Sequence, residues 1–254
     1  MNSYNLKKLL DNIYATYKQR FSSDDPVWIL HGFNDKKDIE VAGLICACYC
    51  YGSIEQIKRF VNMVLNKTGN KPYEFTVNFS KRKDKKYLKG LYYRFNTDDD
   101  LVNLFSDINH ILTNYSSLEN LFMRYYRNDY KDIRCVLKSF VSGFSNAGRN
   151  YLIPHPSGGS AFKRMNLYFR WMIRKDEIDL GLWEGVDKSK LIVPVDVHVA
   201  RISRKLKLVK RKTVDLKFAA ELTENLKEFD PLDPVKYDFA LCHAEMEGRV
   251  KLCA

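Results

Sequence analysis

Glycine, proline and long apolar runs are scarce in this sequence. Its 254 residues include only 12 glycines and 7 prolines, too few for the many turns of a loop-rich β-sandwich. No segment approaches the roughly 18 consecutive apolar residues that a membrane-spanning helix needs. Residues 1–21 also lack the uninterrupted apolar stretch of a signal peptide. We therefore expect a cytoplasmic globular protein without a membrane partner.

The cysteines form neither a disulfide framework nor a metal-binding pattern. The six residues are Cys46, Cys48, Cys50, Cys135, Cys242 and Cys253. The first three alternate within one apolar run and the others are scattered, so no pairing scheme is evident. The sequence contains neither the CxxC pairs of a zinc site nor the grouped cysteines of an iron–sulfur cluster. We predict reduced, mostly buried thiols, no metal and no cofactor.

Positive charge is in excess along the chain. Lysine and arginine outnumber aspartate and glutamate by 42 to 31, which gives a formal net charge of +11 and a pI near 9.2. This balance favours a polyanionic partner, with nucleic acid ahead of a membrane surface. Charge alone is weak evidence, since many basic proteins bind no polyanion. The other proportions, 45% hydrophobic and 29% charged, are typical of a globular protein with a buried core.

Apolar residues recur mostly at helical spacing, so we predict an all-α fold with about eight or nine helices. Residues 4–20 place Leu6, Leu9 and Ile13 on one stripe. Residues 38–51 are apolar nearly all round, which suggests a central, buried helix. Ser53 is predicted as the N-cap of the following helix.

Residues 71–97 fit two local structures. PYEFTVNF alternates well enough for a short strand, whereas KRKDKKYLKGLYYRF is compatible with a basic loop that runs into a helix. The pattern does not decide between them, and we leave this stretch open.

Residues 153–206 carry the most informative pattern. The turn PHPSGGS at residues 154–160 leads into a predicted helix. Glycines at a helix entrance let backbone N–H groups approach a phosphate, and the helix dipole adds to the attraction. Gly158, Gly159 and Ser160 are therefore candidate phosphate ligands. The alternative is a plain loop in which Ser160 caps the helix.

Lys163 lies in the first turn of this predicted helix. A cation there opposes the helix dipole, so the neutral amine, the form that a nucleophile requires, is favoured. Lys163 shares one helix face with Arg170 and Arg174, apart from the apolar stripe. The alternative is a solvated basic face. The apolar stripe consists of Phe162, Met165, Phe169, Met172 and Ile173.

Asp196 in VPVDVHVARI stands where another helix is predicted to begin. The position is typical of an N-cap, and a carboxylate held there is fixed in place, so the capping role does not exclude a catalytic one. A dense basic stretch suited to phosphate contacts follows. Its members are Arg201, Arg204, Lys205, Lys207, Lys210, Arg211 and Lys212.

The glycine turn with Lys163, followed by VPVDVHVARI, resembles the helix-hairpin-helix DNA glycosylases, and most closely the 8-oxoguanine DNA glycosylases. This likeness covers about residues 150–210. KRMNLYFRWMIRKDEIDLGLW and FDPLDPVKYDFAL are also similar to a bacterial family of unassigned function, over most of the chain. The resemblance implies one helical domain of two lobes over residues 1–254, with a catalytic helix-hairpin-helix-like segment at residues 150–210.

The activity that the resemblance implies is base-excision repair by a monomeric DNA glycosylase with AP lyase activity, acting on double-stranded DNA with an oxidised or damaged base. Lys163 would attack C1′ of the sugar and form a Schiff base, Asp196 would stabilise the oxocarbenium charge, and elimination at the 3′ phosphate would nick the strand. The implied phosphate contacts are Gly158, Gly159, Ser160, Arg201, Arg204 and Lys205. The implied pocket for the flipped base contains Asp238, Leu167 and Cys242.

Several of these residues have ordinary structural interpretations. His155 and His198 lack partners at metal-ligand spacing and are expected in a loop and beside a helix. Trp171 and Trp183 are suited to stacking on a base, but packing between helices is the more usual role. The run Lys81–Lys89 either contacts DNA backbone or is a solvated charge run.

The sequence departs from the glycosylase pattern at the hairpin, where IPHPSGG replaces the usual LPGVG, and at Leu167, where some 8-oxoguanine enzymes have a cysteine. The lesion is therefore not implied. Two other functions remain: a non-catalytic DNA-binding module that keeps the hairpin for phosphate contacts, and a basic helical protein that binds RNA or a protein partner.

Overall fold

The computed structural model describes residues 2–129, 132–149 and 151–249. Within these ranges the chain is helical and has two isolated β-bridges but no β-strand, which confirms the all-α class. The α-helices are α1 (Ser3–Tyr17), α2 (Lys36–Tyr49), α3 (Ile54–Lys67), α4 (Pro72–Val77), α5 (Lys81–Leu88), α6 (Asp98–Tyr115), α7 (Leu118–Asp129), α8 (Ile133–Ser142), α9 (Lys163–Ile173), α10 (Val197–Lys205), α11 (Leu216–Lys227) and α12 (Tyr237–Met246). Short 3-10 helices lie at Pro26–Gly32, Lys188–Lys190 and Pro234–Lys236.

The sequence predicts about eight or nine helices, whereas the described residues form twelve α-helices. Residues 71–97 account for part of this difference. The strand interpretation of PYEFTVNF is wrong, because this segment contains α4, with Pro72 in its first turn. Proline suits that position, since its fixed φ is helical and its missing N–H would be unpaired there anyway. The following basic residues form α5, which was predicted only as a loop or helix entrance.

The stronger sequence patterns are confirmed. α2 is buried from Ile39 to Tyr49, as its apolar surface predicts. Ser53 is the N-cap of α3 and accepts a hydrogen bond from the backbone N–H of Gln56 at 3.4 Å. α6 begins at Asp98, and the Thr97 and Asp100 side chains form a capping box at its N-terminus.

The chain divides into two compact units. We call residues 2–25 with 159–249 the terminal unit, and the described residues between 26 and 158 the central unit. In the terminal unit α12 packs against α1 and α10, and α11 packs against Pro234–Lys236. In the central unit α2 contacts α3 and α4, while α6 contacts α4, α5 and α7.

The cysteines are only partly as predicted. Cys46, Cys48 and Cys50 are buried, whereas Cys135 is exposed on α8 and Cys242 is partly buried on α12. The sixth, Cys253, lies outside the described residues. Among the described helices, none has the length and apolar character needed to cross a membrane.

Candidate active site in the terminal unit

α9 begins with a left-handed residue that places Lys163 at its first position. Phe162 is the N-cap, with φ of +54°, and its backbone N–H donates to Ser160 Oγ at 3.0 Å. A bulky residue in this region is strained, so the surrounding packing must hold it there. The interpretation of Ser160 as the N-cap is wrong, because the helix begins two residues later than that role requires.

Asp196 is the N-cap of α10, as predicted. Its Oδ1 accepts hydrogen bonds from the backbone N–H groups of His198 and Val199, both at 2.9 Å. Its Oδ2 accepts from the thiol of Cys242 on α12 at 3.7 Å. One carboxylate oxygen therefore fixes the side chain on the helix end, while the other is directed towards α12.

Lys163 and Asp196 act on the same two side chains of α12. The pKa of the Cys242 thiol is raised well above its usual value, first by burial and then by the negative charges of Asp196 and Asp238, with Lys163 opposing. The thiol therefore stays protonated at neutral pH and serves as a donor to Asp196. Lys163 and Asp196 are 33 positions apart in sequence, and both affect the pKa of the same group.

Asp238 is the second of these side chains and is fully buried. Burial and the charge of Asp196 raise its pKa to about 6, against the opposing effect of Arg170 and Lys163. Its Oδ2 is paired with the guanidinium of Arg170. Its Oδ1 is buried and has no hydrogen-bond partner among the described residues. A buried acceptor without a partner is costly and uncommon, which makes this oxygen a candidate functional atom.

Arg170 of α9 and Arg174, which directly follows the helix, form buried ion pairs in this region. Arg170 Nε donates to Asp179 Oδ1 at 3.1 Å, and Arg174 Nη1 donates to Asp179 Oδ2 at 2.8 Å. Arg174 Nε also donates to both carboxylate oxygens of Asp233, each at 3.0 Å. We call these residues, with Asp238, the charged network. Burial would lower the pKa of Arg170, but Asp179 and Asp238 raise it above its usual value, so it remains charged.

The solvated-face interpretation is therefore wrong for Arg170 and Arg174, which are each only 3% exposed. The sequence contains a signal for the burial of these arginines. Two aspartates follow α9 closely, and two more lie in the FDPLDPVKYDF segment. Those aspartates are Asp176, Asp179, Asp233 and Asp238.

A second buried polar chain connects the N-terminal segment to α12. His243, beside Cys242, is 3% exposed. Its Nε2 lies 3.1 Å from Asp25 Oδ2, and its Nδ1 lies 2.6 Å from Ser23 Oγ. Sequence reasoning missed this arrangement, because about 220 residues separate its partners and no local pattern joins them. It holds α12 in position next to the site.

A family model described as a protein of unknown function, DUF2400, matches residues 25–247. The chain belongs to this family. The finding agrees with the predicted likeness to a family of unassigned function. No curated protein and no solved structure matches the chain. The likeness to helix-hairpin-helix glycosylases stays a prediction.

The aromatic candidates of this family member lie in its core. Trp171 is fully buried and Trp183 is 3% exposed, with the Trp183 ring packed edge-on against Tyr168 at 5.3 Å. Packing, and not stacking on a base, is therefore their role. Leu167 is buried on α9, and a role for it in a base pocket stays a prediction.

The turn before α9 is exposed and partly bonded to itself. Gly158 N–H donates to the carbonyl of His155 at 2.9 Å, and Ser157 N–H lies 3.2 Å from His155 Nδ1. Gly159 and Ser160 are exposed. Their contact with a phosphate stays a prediction.

The basic residues of α10 lie on its exposed side. Lys205 Nζ lies 2.9 Å from Glu245 Oε1, and Arg201 lies 3.5 Å from the same oxygen. Arg204 packs over the ring of Phe218. Glu245 thus orders this side of the helix and offsets part of its charge.

The histidine candidates do not form a metal centre with other residues. Across the part of the chain that the structure describes, no group of three or more His, Cys, Asp or Glu side chains is arranged to hold a metal ion. His155 Nδ1 lies 2.9 Å from the hydroxyl of Ser157. His198 contributes its backbone N–H to the cap at Asp196.

Proposed function

We propose that this protein is a base-excision DNA glycosylase with AP lyase activity. The observation that carries the proposal is the contact of Asp196 with Cys242 of α12, on the same helix as the buried Asp238, whose Oδ1 has no hydrogen-bond partner among the described residues and whose pKa also responds to the charge of Lys163. A nucleophile and a carboxylate at the first turns of two different helices act on one buried, titratable centre. Such a combination of perturbed groups is typical of a catalytic site.

The chemistry requires a neutral amine at Lys163. Its nitrogen lone pair forms a bond to C1′ of the nucleotide while the glycosidic bond breaks. The base leaves with the electron pair of the glycosidic bond and takes up a proton. One of the two N–H protons is then lost, and the nitrogen lone pair forms a C=N bond as the C1′–O4′ bond of the sugar ring breaks. O4′ takes up a proton, and the product is the protonated imine of a Schiff base. Removal of a C2′ proton then expels the 3′ phosphate and cleaves the strand. The lysine is recovered when water hydrolyses the imine.

The two aspartates have different tasks in this scheme. Asp196, held on the end of α10, provides a fixed negative charge for the oxocarbenium ion that develops at the sugar. Asp238 has a pKa raised to about 6, which suits a group that takes and returns protons near neutral pH. In this scheme it accepts the proton that Lys163 must lose.

The exposed cations of α10 support DNA as the substrate. Arg201, Arg204 and Lys205 are solvent-exposed on the helix that Asp196 caps. Lysine and arginine next to a reacting nucleotide neutralise phosphates and position the duplex. The predicted phosphate contacts of Gly158, Gly159 and Ser160 belong to the same proposal.

Borohydride trapping tests the chemistry directly. The protein is incubated with duplexes that carry 8-oxoguanine, uracil or an abasic site, and the reductant converts a Schiff base into a stable protein–DNA adduct. We expect an adduct with at least one duplex and its loss in Lys163→Gln. Arg164→Gln is the matched control, since it removes the neighbouring cation of the same helix turn but leaves the amine. Asp196→Asn should slow base release strongly.

The control variants decide between the proposal and its alternative. An adduct that persists in Lys163→Gln would show that another amine reacts and would overturn the assigned nucleophile. If no duplex gives an adduct but the protein still shifts DNA on a gel, the non-catalytic DNA-binding module replaces the glycosylase.

A further inference from the structure

A tight turn in the central unit displays two side chains at its tip. Tyr93 and Asn96 form an antiparallel bridge in which N–H of Tyr93 donates to the Asn96 carbonyl at 2.8 Å and N–H of Asn96 donates back at 2.9 Å. Arg94 and Phe95 lie between them, and Arg94 has a left-handed φ of +54°. We call residues Tyr93–Asn96 the aromatic turn.

The base of the aromatic turn is firmly held. The hydroxyl of Tyr93 donates to the Tyr51 carbonyl at 2.6 Å, and the Tyr51 hydroxyl lies within hydrogen-bond distance of the Tyr93 carbonyl and Asn96 Oδ1, at 3.1 and 2.5 Å. Gly52 has φ of +101°, and a Cβ there would lie 2.6 Å from Arg94 Nη1. Glycine is thus required beside the turn. The hydrogen bonds of Tyr51 and Tyr93 order the turn before any partner binds.

The tip presents aromatic rings to solvent. Phe95 is 71% exposed, its neighbour Tyr92 is 74% exposed, and Tyr151 is 50% exposed. The Phe95 ring meets Tyr151 edge-on at 5.8 Å, and the Arg94 guanidinium lies 5.8 Å from the Phe95 centroid. A ring so exposed gains little stability from the fold, so its burial requires a partner.

The charge around the aromatic turn favours a polyanion. Seven lysines and arginines but only one acidic residue occur between positions 81 and 95. The nearby aspartates are occupied within the fold. Asp84 accepts from the backbone N–H of Ser80, Asp98 from that of Gly90 and Asp100 from that of Thr97, while Asp99 pairs with Lys85. Lys85 is thus paired with Asp99, and the other lysines and arginines of α5 are in excess and can contact phosphates.

We propose that the aromatic turn binds nucleic acid by stacking Phe95 on an unpaired base, with Arg94 and the cations of α5 at the flanking phosphates. Exposed rings set among cations are the combination that binds single strands without sequence preference. This surface does not depend on the Schiff-base chemistry proposed for Lys163.

Fluorescence anisotropy with an undamaged, labelled oligothymidylate of about 12 nucleotides tests the proposal. Phe95→Ala should weaken binding about tenfold or more, because stacking on one base is lost. Phe95→Trp should restore the affinity, whereas Phe95→Leu, which is apolar but has no ring, should not. Tyr4→Ala is the matched control, because Tyr4 is 74% exposed, close to the 71% of Phe95, but lies on α1.

A second measurement removes the dependence on variants. Photo-cross-linking with an oligonucleotide that contains 5-iodouracil should label a peptide with Phe95 or Tyr151 in the unaltered protein. Equal affinity of Phe95→Ala and the unaltered protein, cross-links elsewhere, or no binding of any nucleic acid would overturn the proposal. The oligonucleotide contains neither a damaged base nor an abasic site, so failure here is distinct from failure of the trapping experiment.

Discussion

Helices α2 and α9 are both deeply buried, but their contacts are chemically opposite. α2 of the central unit is buried from Ile39 to Tyr49, and Glu40 is its only buried charge. α9 of the terminal unit is buried from Met165 to Ile173 and contains Arg170, with Arg174 following directly. One helix is held by apolar packing and the other by ion pairs as well.

Apolar packing and ion pairs make different contributions to the two helices. Apolar burial stabilises α2 roughly in proportion to the area removed from water, and it sets few precise distances. Buried ion pairs lose hydration that their attraction only partly offsets, so they are weak evidence of stability. They do fix geometry: Arg170 pairs with both Asp179 and Asp238. We infer that the terminal unit uses these pairs to hold the Asp238 carboxylate in a fixed position.

The largest effect should come from breaking the charged network. Arg170→Ala leaves Asp179 and Asp238 without one of their partners, and the expected loss in the free energy of unfolding is about 3–5 kcal/mol. Urea unfolding followed by circular dichroism measures it. Arg164→Ala, six positions earlier on α9 and less buried, is the control. A loss below about 1 kcal/mol would mean that Asp179 and Asp238 do not need Arg170 as a partner in the folded protein.

Shortening an apolar side chain of α2 gives the loss of stability to compare with that of Arg170→Ala. Leu44 of α2 is fully buried, and Leu44→Ala should lower the free energy of unfolding by about 2–5 kcal/mol through lost burial and a cavity. The loss should be the same at low and high salt, because no charge is involved. A clear salt dependence would show that α2 is not held by apolar packing alone.

The sequence predicts α2 better than it predicts α9, for a physical reason. A helix that is apolar all round has one stable location, the core, and local periodicity shows it. The caps at Ser53 and Asp196 were likewise predictable, because the partners are backbone groups two or three residues away.

Two of the ion pairs in the charged network join residues that are distant in sequence. Arg174 and Asp233 are 59 residues apart, and Arg170 and Asp238 are 68 residues apart. Without those partners an arginine face is expected to be solvated, which is why the prediction was wrong there. Lys163 and Asp196 were identified from a family resemblance and from their helix ends, but their common neighbours on α12 required the structure.

The pH dependence of Asp238 sharpens the contrast further. Its pKa is raised to about 6 in the folded state from a value of 3.8, so between these values the folded protein holds more protons than the unfolded chain. The contribution of Asp238 to the free energy of unfolding therefore falls as the pH rises from about 4 to about 6, by roughly 3 kcal/mol in total.

The measurement is a difference between two proteins. Asp238→Asn cannot ionise, so its stability relative to the unaltered protein should increase as the pH rises through this window, in urea titrations at matched ionic strength. Asp187→Asn, at an exposed position, is the control and should show no such gain. A difference that is constant from pH 4 to pH 7 would contradict a raised pKa at Asp238.

The smallest effect concerns the single buried charge of α2. Glu40 accepts hydrogen bonds from the backbone N–H groups of Leu118 and Glu119, at 3.2 and 2.8 Å, and so caps the start of α7. Glu40→Gln keeps one oxygen but removes the charge that favours a helix N-terminus, and about 1 kcal/mol of stability should be lost. Thermal unfolding compared with the exposed Glu55→Gln measures it.

The stability lost in Glu40→Gln tests whether α2 depends on apolar packing and α9 on buried ion pairs as well. Glu40 stabilises α2 against a helix end, where backbone dipoles provide the opposite partial charge and no second ionised group has to be buried. Its removal should therefore leave little uncompensated charge behind, unlike the removal of Arg170. A loss as large as that of Arg170→Ala would mean that the central unit also depends on a buried charge, and apolar packing would not then explain the position of α2.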